Sequence, residues 1–214
     1  MLKRIFDISI SLVALALLAP FFFVCAVIIK LTSRGPIFYR GRRVGKDGKI
    51  FLMHKFRSMV VDADKMGTDL TPQGDPRVTK FGKFLRKTKI DELPQIIDVI
   101  KGDMSLVGPR PESPMYAQHY DERQKRVLDV CPGIVGPTQI ICRHEDLILK
   151  DKEDPDKYYI RELMPKKVEI DLNYIDNRSF WLDIQILLKS FFVVVMVKSN
   201  RDSIHKLLDE KSIS

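Results

Sequence analysis

Cysteine and histidine are scarce in this chain, and those present are not spaced as disulfide or metal motifs. The three cysteines, Cys25, Cys131 and Cys142, show no CxxC spacing and cannot form an even disulfide framework. The four histidines form no HExxH or similar ligand pair, which argues against a histidine-based zinc site. We therefore interpret the cysteines as reduced thiols in a cytosolic compartment.

Several common nucleotide-binding and hydrolase motifs are also missing. The chain contains no GxGxxG, no Walker loop and no GxSxG, and it has no internal repeat. These absences give no support to a dinucleotide-binding domain, a P-loop NTPase or a repeat architecture.

Acidic residues are few near the N-terminus, where basic residues are abundant. Residues 1–60 contain eleven Lys and Arg but two acids, Asp7 and Asp47, and the 214-residue chain has a formal net charge of +8. Such a charge indicates an anionic partner: nucleic acid, acidic lipid or a phosphorylated small molecule. Because the excess lies beside the most apolar segment, it favours a membrane surface over a nucleic-acid-binding arm.

The most apolar segment extends from Ile8 to Ile29 and is broken by two serines and Pro20. As one helix it would be roughly 33 Å long, enough to cross a bilayer. No convincing cleavage site follows it, so we set a signal peptide aside. Positive residues flank both ends, and a proline near the middle bends a helix. From the residues alone, a helix-break-helix that returns to the same face and one kinked spanning helix are equally supported.

The next part of the chain predicts a hairpin followed by helices. A turn signal at Gly35-Pro36 precedes the first of two stretches of strand composition, and a second turn signal at residues 46–48 separates them. Apolar residues recur at helical spacing after residue 78, and a second stripe begins at Leu93. Pro94 is tolerated in a first turn, so this second helix should begin near Asp91 and stop at Gly102.

The C-terminal part is less regular. Residues 144–157 are charged and are interpreted as a surface loop. A helix with a break at Pro165 is predicted after them. Residues 180–198 are strongly apolar but contain Asp, Gln and Lys, which favours a core or membrane-surface element over a span.

An acidic pair, Asp91-Glu92, stands at the predicted start of the second helix. Acids there can be ordinary caps, because a helix N-terminus favours negative charge. Two features argue for more. Arg86, Lys87 and Lys89 lie just upstream. Downstream, a Pro-Arg-Pro sequence holds Arg110 in an extended backbone suited to fork-like phosphate binding.

Three long stretches occur in order: GPIFYRGRRVGKDGKIFLMHKFRSM, FGKFLRKTKIDELPQIIDVIKGDMSLVGPRPE and PGIVGPTQI. Together with KRIFDISISLVALALLAP before them and DLNYIDNRSFWLDIQILLKS after them, they resemble the bacterial sugar transferase family, the monotopic phosphoglycosyl transferases. The resemblance covers about residues 2–190, and KFRSM, DELPQ and GPRP at these separations are highly specific. The length resembles that of the small form, a catalytic domain without extra membrane helices.

This resemblance implies an enzyme that moves a phosphosugar from a nucleoside-diphosphate sugar, usually a UDP-sugar, to a polyprenyl phosphate such as undecaprenyl phosphate. UMP would leave, in the first membrane step of glycan synthesis, at the cytoplasmic face of the bacterial inner membrane. Members of the family look like two-step enzymes that form a phosphosugar ester on an aspartate and require Mg²⁺.

The implied fold is α+β and mostly helical. A re-entrant membrane anchor at residues 1–32, broken at Pro20, would precede a cytosolic catalytic domain at 33–198 and a polar tail at 199–214. The catalytic domain would contain a short β-hairpin and interfacial amphipathic helices.

The resemblance places the nucleophile at Asp91 and its metal-side partner at Glu92, so both are expected at the Mg²⁺. The expected substrate-binding residues are Lys55, Arg57, Arg86, Arg110, Gln139 and Arg143. A helix N-terminus is expected to lower the pKa of Asp91 and keep it ionised. Relatives often carry Ser-Pro where this chain has Ala19-Pro20, Gln at Gly41, and Trp before the glutamine of the PG segment. The last two differences concern the sugar and nucleotide contacts rather than the reaction.

Two other classes of protein fit part of this sequence. A non-catalytic basic scaffold on the membrane surface would keep the anchor and the charge but leaves Asp91-Glu92 unexplained. A nucleic-acid binder would fit the charge, but the chain has no recognisable binding module and the apolar N-terminus would have no role. The expected partners are therefore a UDP-sugar, polyprenyl phosphate and membrane lipids, with no nucleic acid.

Overall fold

Helix α1 (Leu2–Thr32) runs through the whole apolar N-terminal segment, with Pro20 inside it. It belongs to a computed structural model that describes residues 2–67, 70–71, 74–142, 145–150 and 152–196. The predicted break at Pro20 does not appear as a gap in the helix. A proline removes one backbone hydrogen bond, and a helix of this length can carry that loss.

One side of α1 packs along the protein at both ends of the helix. Near its start, Lys3 Nζ donates to Asp183 Oδ2 at 2.5 Å. Near its end, Cys25 and Ile29 are each 2% exposed. The other side presents large apolar side chains to the outside: Leu2, Ile5, Ile10, Leu12, Val13, Leu17, Phe21, Phe23, Val24, Val27 and Leu31. Within the described residues, α1 is the one helix long and apolar enough to cross a membrane.

The predicted hairpin is confirmed. Strands β1 (Phe38–Val44) and β2 (Ile50–Phe56) pair antiparallel, with Gly41 opposite Met53. The connection is a 3₁₀ turn at Lys46–Gly48. The pairing extends one residue past β2, because the Arg57 amide donates to the carbonyl oxygen of Ile37 at 2.9 Å.

Short helices and one further strand pair follow the hairpin. In chain order they are α2 (Lys80–Lys87), α3 (Ile96–Lys101), β3 (Ser105–Val107), α4 (Pro114–Ala117), β4 (Gly133–Val135), α5 (Pro137–Ile141), α6 (Glu145–Lys150), α7 (Pro155–Tyr158), α8 (Met164–Asn177) and α9 (Phe180–Met196). Strands β3 and β4 pair in parallel. Sequence patterns did not predict this pair, since each strand has three residues.

Three clusters of buried side chains hold these elements together. The first joins α4, α6 and α8 around Tyr116, Leu149 and Leu172. The second lies under the strands, around Met53 and Val99. The third packs the end of α1 onto β2 and α2: Cys25, Ile29, Phe56 and Leu85. The third cluster therefore ties the apolar helix to the hairpin that bears Lys55.

The structure contradicts one sequence-based interpretation of the C-terminal part and agrees with another. The surface loop expected at 144–157 is wrong, because α6 and α7 lie there and Leu149 is 2% exposed. The core or membrane-surface element expected at 180–198 corresponds to α9, which buries Asp183 and Ile186 while Trp181 is 68% exposed. The predicted tail at 199–214 lies outside the described residues.

Candidate active site

A cavity of about 1750 Å³ opens between the hairpin, α2, the turn before α3 and α8. It is lined by many cations: Lys30, Arg40, Arg43, Lys55, Arg57, Lys83, Arg86, Lys87, Lys89 and Arg110. The acidic pair predicted from sequence, Asp91 and Glu92, lines the same cavity. Such a lining attracts anions and neutralises a developing negative charge.

The turn before α3 presents the acidic pair. A 3₁₀ segment spans Ile90–Gln95 and leads directly into α3, with Lys89 before it in the left-handed region at φ 59°. Pro94 is inside this segment, and Gly102 ends α3 at φ 101°. The predicted stop at Gly102 is confirmed. The predicted start near Asp91 falls in the 3₁₀ segment, and α3 itself begins at Ile96, after Pro94.

Asp91 is buried and has an unused oxygen. Its side chain lines the cavity, the residue is 5% exposed, and Oδ1 has no hydrogen-bond partner. Burial, and then the neighbouring Glu92 carboxylate, raise the pKa of Asp91. The expectation that the helix N-terminus lowers this pKa was wrong, because desolvation outweighs the favourable charges of Lys55 and Arg86.

Glu92 is held by two cations. Arg110 donates to both of its oxygens, from Nη2 to Oε1 at 2.5 Å and from Nη1 to Oε2 at 3.0 Å. Lys55 Nζ donates to Oε1 at 3.0 Å. Burial alone would raise the pKa of Glu92, but Arg110 and Lys55 hold it well below its usual range. Burial lowers the pKa of Lys55 to about 8 despite the attraction of Glu92.

The loop that carries Arg110 is fixed by a close backbone approach between β3 and β4. The Gly133 amide donates to the carbonyl oxygen of Pro109 at 2.8 Å, and the Gly108 amide donates to Val135 at 3.0 Å. A Cβ added at Gly133 would lie 2.1 Å from the Gly108 nitrogen. Glycine at this position is therefore required for Arg110 to reach Glu92.

A second buried pair fixes the hairpin against α3. The His54 amide donates to Asp98 Oδ2 at 2.8 Å, and His54 Nδ1 lies 2.5 Å from Asp98 Oδ1. His54 precedes Lys55 on β2, and Asp98 lies on the helix that follows Asp91-Glu92. This contact sets the distance between Lys55 and the acidic pair. Sequence reasoning did not single out either residue.

The substrate-binding residues expected from sequence can be placed individually. Lys55, Arg57, Arg86, Arg110 and Gln139 all line the cavity. The Gln139 amide nitrogen donates to the Ile134 carbonyl oxygen at 3.3 Å, so part of this side chain supports its own segment. Arg143 lies outside the described residues.

The part of the cavity next to α6 and α8 has more carboxylates than cations. Glu112, Glu145 and Asp171 line it together with Lys167. Lys167 Nζ donates to Glu145 Oε2 at 2.7 Å, and Tyr159 donates its hydroxyl hydrogen to Glu112. Sequence reasoning missed these residues. Glu145 stood in the supposed loop, and the i, i+4 spacing of Lys167 and Asp171 on α8 was the one available signal.

Asp171 accepts hydrogen bonds from a neutral hydroxyl group rather than from a cation. Thr138 Oγ1 donates to its two oxygens at 3.1 and 3.3 Å, and burial raises the pKa of Asp171 to about 7. A carboxyl group in this state can accept or donate hydrogen bonds with neutral polar groups near neutral pH.

The acidic pair offers oxygen ligands of the kind that Mg²⁺ prefers. Mg²⁺ is commonly held by one or two carboxylates together with substrate phosphates and water. Asp91 Oδ1 is a buried oxygen without a partner, and Glu92 Oε2 accepts a hydrogen bond from Arg110. In the described part of the chain, no group of three or more His, Cys, Asp or Glu residues could hold a metal. The pair fits an ion that takes its remaining ligands from substrate.

Fold and site together describe a protein with a long apolar helix beside a cation-lined cavity suited to phosphate groups. A family model described as bacterial sugar transferase matches residues 1–197. The chain therefore belongs to the bacterial sugar transferase family.

Three curated relatives are similar over most of this chain. A UDP-N-acetylgalactosamine-undecaprenyl-phosphate N-acetylgalactosaminephosphotransferase of Aeromonas hydrophila is 38% identical over 91% of this chain and 44% of its own length. A UDP-glucose:undecaprenyl-phosphate glucose-1-phosphate transferase of Escherichia coli K12 is 41% identical over 90% and 40%. An uncharacterized sugar transferase, EpsL, of Bacillus subtilis is 38% identical over 87% and 83%. The chain thus spans less than half the length of the first two.

Proposed function

We propose that this protein transfers a phosphosugar from a UDP-sugar to a polyprenyl phosphate and releases UMP. The observation that carries the proposal is the unpartnered, buried oxygen of Asp91 in a cation-lined cavity. The names of the relatives in Aeromonas hydrophila and Escherichia coli support this reaction class. Those names specify different sugars, and the choice of sugar stays open.

The proposed reaction has two displacements at the same phosphorus atom. In the first, an oxygen of the Asp91 carboxylate bonds to the sugar-linked phosphorus, and the bond from that phosphorus to the UMP oxygen breaks. UMP leaves with the electron pair. In the second, an oxygen of polyprenyl phosphate bonds to the same phosphorus, and the bond to Asp91 breaks. The products are a polyprenyl-diphosphate sugar and the free carboxylate.

The surrounding charges make this attack feasible. A carboxylate that approaches a diphosphate meets like charge, which Lys55 and Arg110 would offset. We propose that Asp91 and Glu92 hold Mg²⁺, which when bound would neutralise the phosphate oxygens. Because burial and Glu92 raise the pKa of Asp91, binding of cations and substrate beside it would favour the reactive ionised form.

We propose that α1 is a re-entrant membrane helix and that the cavity faces the cytoplasm at the inner membrane. Both ends of α1 contact the same folded body: Lys3 pairs with Asp183, and Ile29 packs with Phe56. A helix that crossed the bilayer would carry one end away from that body.

Membrane topology can be tested by labelling cysteines in intact cells. In a background without the three native cysteines, Leu2→Cys and Lys46→Cys should both be shielded from impermeant thiol reagents added outside. Labelling of Leu2→Cys alone would indicate a spanning helix.

The reaction can be tested with purified protein, Mg²⁺, a short-chain polyprenyl phosphate and a panel of UDP-sugars. The parent should release UMP with at least one donor, and Asp91→Asn should release essentially none. Asp103→Asn removes an exposed carboxylate outside the cavity and should keep parental activity. Donor labelled in its sugar-linked phosphate should leave label on the parent polypeptide but not on Asp91→Asn.

Two results would oppose this assignment. Robust turnover by Asp91→Asn would exclude Asp91 as nucleophile. A folded parent that binds membranes but releases no UMP with any donor would favour the scaffold function instead.

A further inference from the structure

Arg57 is a buried guanidinium group that is only half satisfied by the protein. The residue is 5% exposed. Its Nη2 donates to the Ser33 carbonyl oxygen at 2.8 Å and to Ser33 Oγ at 2.7 Å. Nε and Nη1 have no hydrogen-bond partner. A buried charged group without partners is costly, so the unused nitrogens indicate that an anion completes this site.

Arg57 also differs from Lys55 and Arg110 in having no carboxylate partner. Lys55 and Arg110 are both paired with Glu92. Among the residues that the structure describes, no carboxylate lies within ion-pair distance of Arg57. Its side chain lines the cavity. The two nitrogens without partners, Nε and Nη1, can each donate a charge-assisted hydrogen bond to an oxygen of a bound phosphate group.

The position of Arg57 relative to the acidic pair follows from strand geometry. The Arg57 amide continues the ladder of β2, so the side chains of Lys55 and Arg57 project to the same side of the strand. Residues two apart on a strand are separated by roughly 7 Å. Lys55 contacts Glu92, so Arg57 lies one strand repeat from a residue that contacts the acidic pair, and both side chains line the same cavity.

The same position is beside the end of the apolar helix. Ser33, which holds Arg57, directly follows Thr32 at the end of α1. Gly35 has φ +118°, and a Cβ there would lie 2.1 Å from Arg57 Nη1. The chain leaving α1 therefore wraps around this guanidinium group.

The cavity near Arg57 is edged by apolar side chains. Val60 and Val61 line the cavity and are 40% and 48% exposed, and Leu31 in the last turn of α1 is 81% exposed. An isoprenoid chain could lie along these side chains while its phosphate reached Arg57.

We propose that Arg57 binds the phosphate of the lipid acceptor, while Lys55 and Arg110 hold the diphosphate of the donor. This assignment rests on the proposed two-step function and adds to it a separate site for each substrate. The acceptor phosphate would enter beside α1, where its hydrocarbon tail can remain in the membrane.

The two half-reactions distinguish this site from the donor site. Arg57→Gln removes the charge and should raise the KM for polyprenyl phosphate at least tenfold, as expected for loss of a charge-assisted phosphate contact. Labelling of the polypeptide by donor alone should stay within about threefold of the parent, because no acceptor takes part in that step. Arg126→Gln is the control, because it removes an exposed cation that pairs with Asp176, and it should leave the acceptor KM within about threefold.

Direct binding keeps the test independent of turnover. Binding of a short-chain prenyl phosphate to detergent-solubilised Asp91→Asn protein should weaken at least tenfold when Arg57→Gln is added, whereas binding of UMP should not change. Inorganic phosphate should compete weakly with the prenyl phosphate; equal binding of the two would identify a general phosphate site rather than a lipid site. If Arg57→Gln does not fold, Arg57→Lys, which keeps the charge but loses the Nε and Nη1 donors, should weaken prenyl phosphate binding and leave UMP binding unchanged.

Three outcomes would overturn the proposal: an unchanged acceptor KM, unchanged prenyl phosphate binding, or a parallel loss of donor labelling in a folded Arg57 variant. The last would place Arg57 at the donor. Absence of labelling and of UMP release in the parent would instead reject the proposed function, and the binding experiment would still decide what Arg57 holds.

Discussion

The cavity has two contrasting parts: the proposed phosphate end around Lys55 and Glu92, and the carboxylate end around Lys167 and Glu145. Each contains a buried lysine paired with a glutamate, and the pKa values of the two lysines shift in opposite directions. Lys55 lies 3.0 Å from Glu92, and Lys167 lies 2.7 Å from Glu145. Burial lowers the pKa of Lys55 to about 8. Burial would also lower the pKa of Lys167, but Glu145 and Glu112 raise it above its usual value.

The difference comes from the other charges near each pair. Lys55 shares its glutamate with Arg110, so positive charge is in excess at that end. Lys167 is near two glutamates, so negative charge is in excess at the other end. An ion pair at the first end can give up a cation contact to an incoming phosphate. The second pair has further carboxylates beside it, Glu112 and Asp171, and it suits neutral hydroxyl or amide groups that can donate to carboxylates.

The largest effect is expected from removal of a cation at the phosphate end. Arg110→Ala leaves Glu92 with Lys55 alone and removes a paired donor to the diphosphate. We expect UMP release, measured as kcat/KM for the donor, to fall about 10²- to 10³-fold, similar to loss of a transition-state donor elsewhere. Arg126→Ala is the control, because Arg126 pairs with Asp176 on the exposed surface.

Arg110→Lys sharpens this measurement. It keeps the charge but loses the two-point contact with Glu92, so its activity should lie between those of the parent and Arg110→Ala. An Arg110→Ala enzyme within threefold of the parent would mean that the two ends of the cavity do not differ in the way proposed.

Sequence patterns predicted much of the local structure around Asp91 and Glu92, but they missed the helix that contains Glu145. Pro94 lies in the 3₁₀ segment that leads into α3, and Gly102 ends α3, because each acts on its own backbone. Local reasoning was therefore sufficient there. The contact between Glu145 and Lys167 joins residues 22 positions apart. Charged composition around Glu145 is the same for a loop and for a helix that buries one face, and no local pattern separates them.

The pKa of Asp91 shows a second limit of sequence reasoning. A helix N-terminus is visible in a sequence, whereas the burial of a side chain depends on elements from across the chain. The Pro-Arg-Pro sequence was a local signal, and the structure places Arg110 in the cavity beside Glu92. That Arg110 reaches Glu92 depends on the parallel pairing of β3 and β4, which short strands do not announce.

A smaller effect is expected from the pH dependence of the phosphate end. Lys55 is charged below its pKa of about 8 and neutral above it. The kcat/KM for the donor, which reports the free enzyme, should therefore fall up to about tenfold per pH unit above pH 8. Lys55→Arg should keep its activity to higher pH, since arginine stays charged. Lys167→Arg should show no such extension, because the pKa of Lys167 is already raised.

This pH profile can contradict the comparison directly. A parental kcat/KM that stays level to pH 9.5, or an equal extension by Lys55→Arg and Lys167→Arg, would show that the two lysines do not differ in their charge state. UMP release at a fixed, saturating Mg²⁺ concentration is the measurement.

The smallest effect is expected at the carboxylate end, in stability rather than turnover. Because the pKa of Asp171 is raised from 3.8 to about 7, the folded protein keeps a proton that the unfolded chain loses above pH 4. The free energy of unfolding should therefore decrease as the pH rises from about 4 to about 7. Asp171→Asn has no proton to lose there and can still accept from Thr138.

The stability difference between Asp171→Asn and the parent isolates this group from the others that titrate. Relative to the parent, the variant should gain on the order of 1 kcal/mol in free energy of unfolding between pH 5 and pH 7. Asp176→Asn, on the same helix but exposed, should show no such gain. Thermal unfolding in detergent across this range checks both variants. A parallel pH dependence of the parent and Asp171→Asn would mean that Asp171 is already ionised at pH 5. The carboxylate end would then carry one more negative charge than the raised pKa of Asp171 implies.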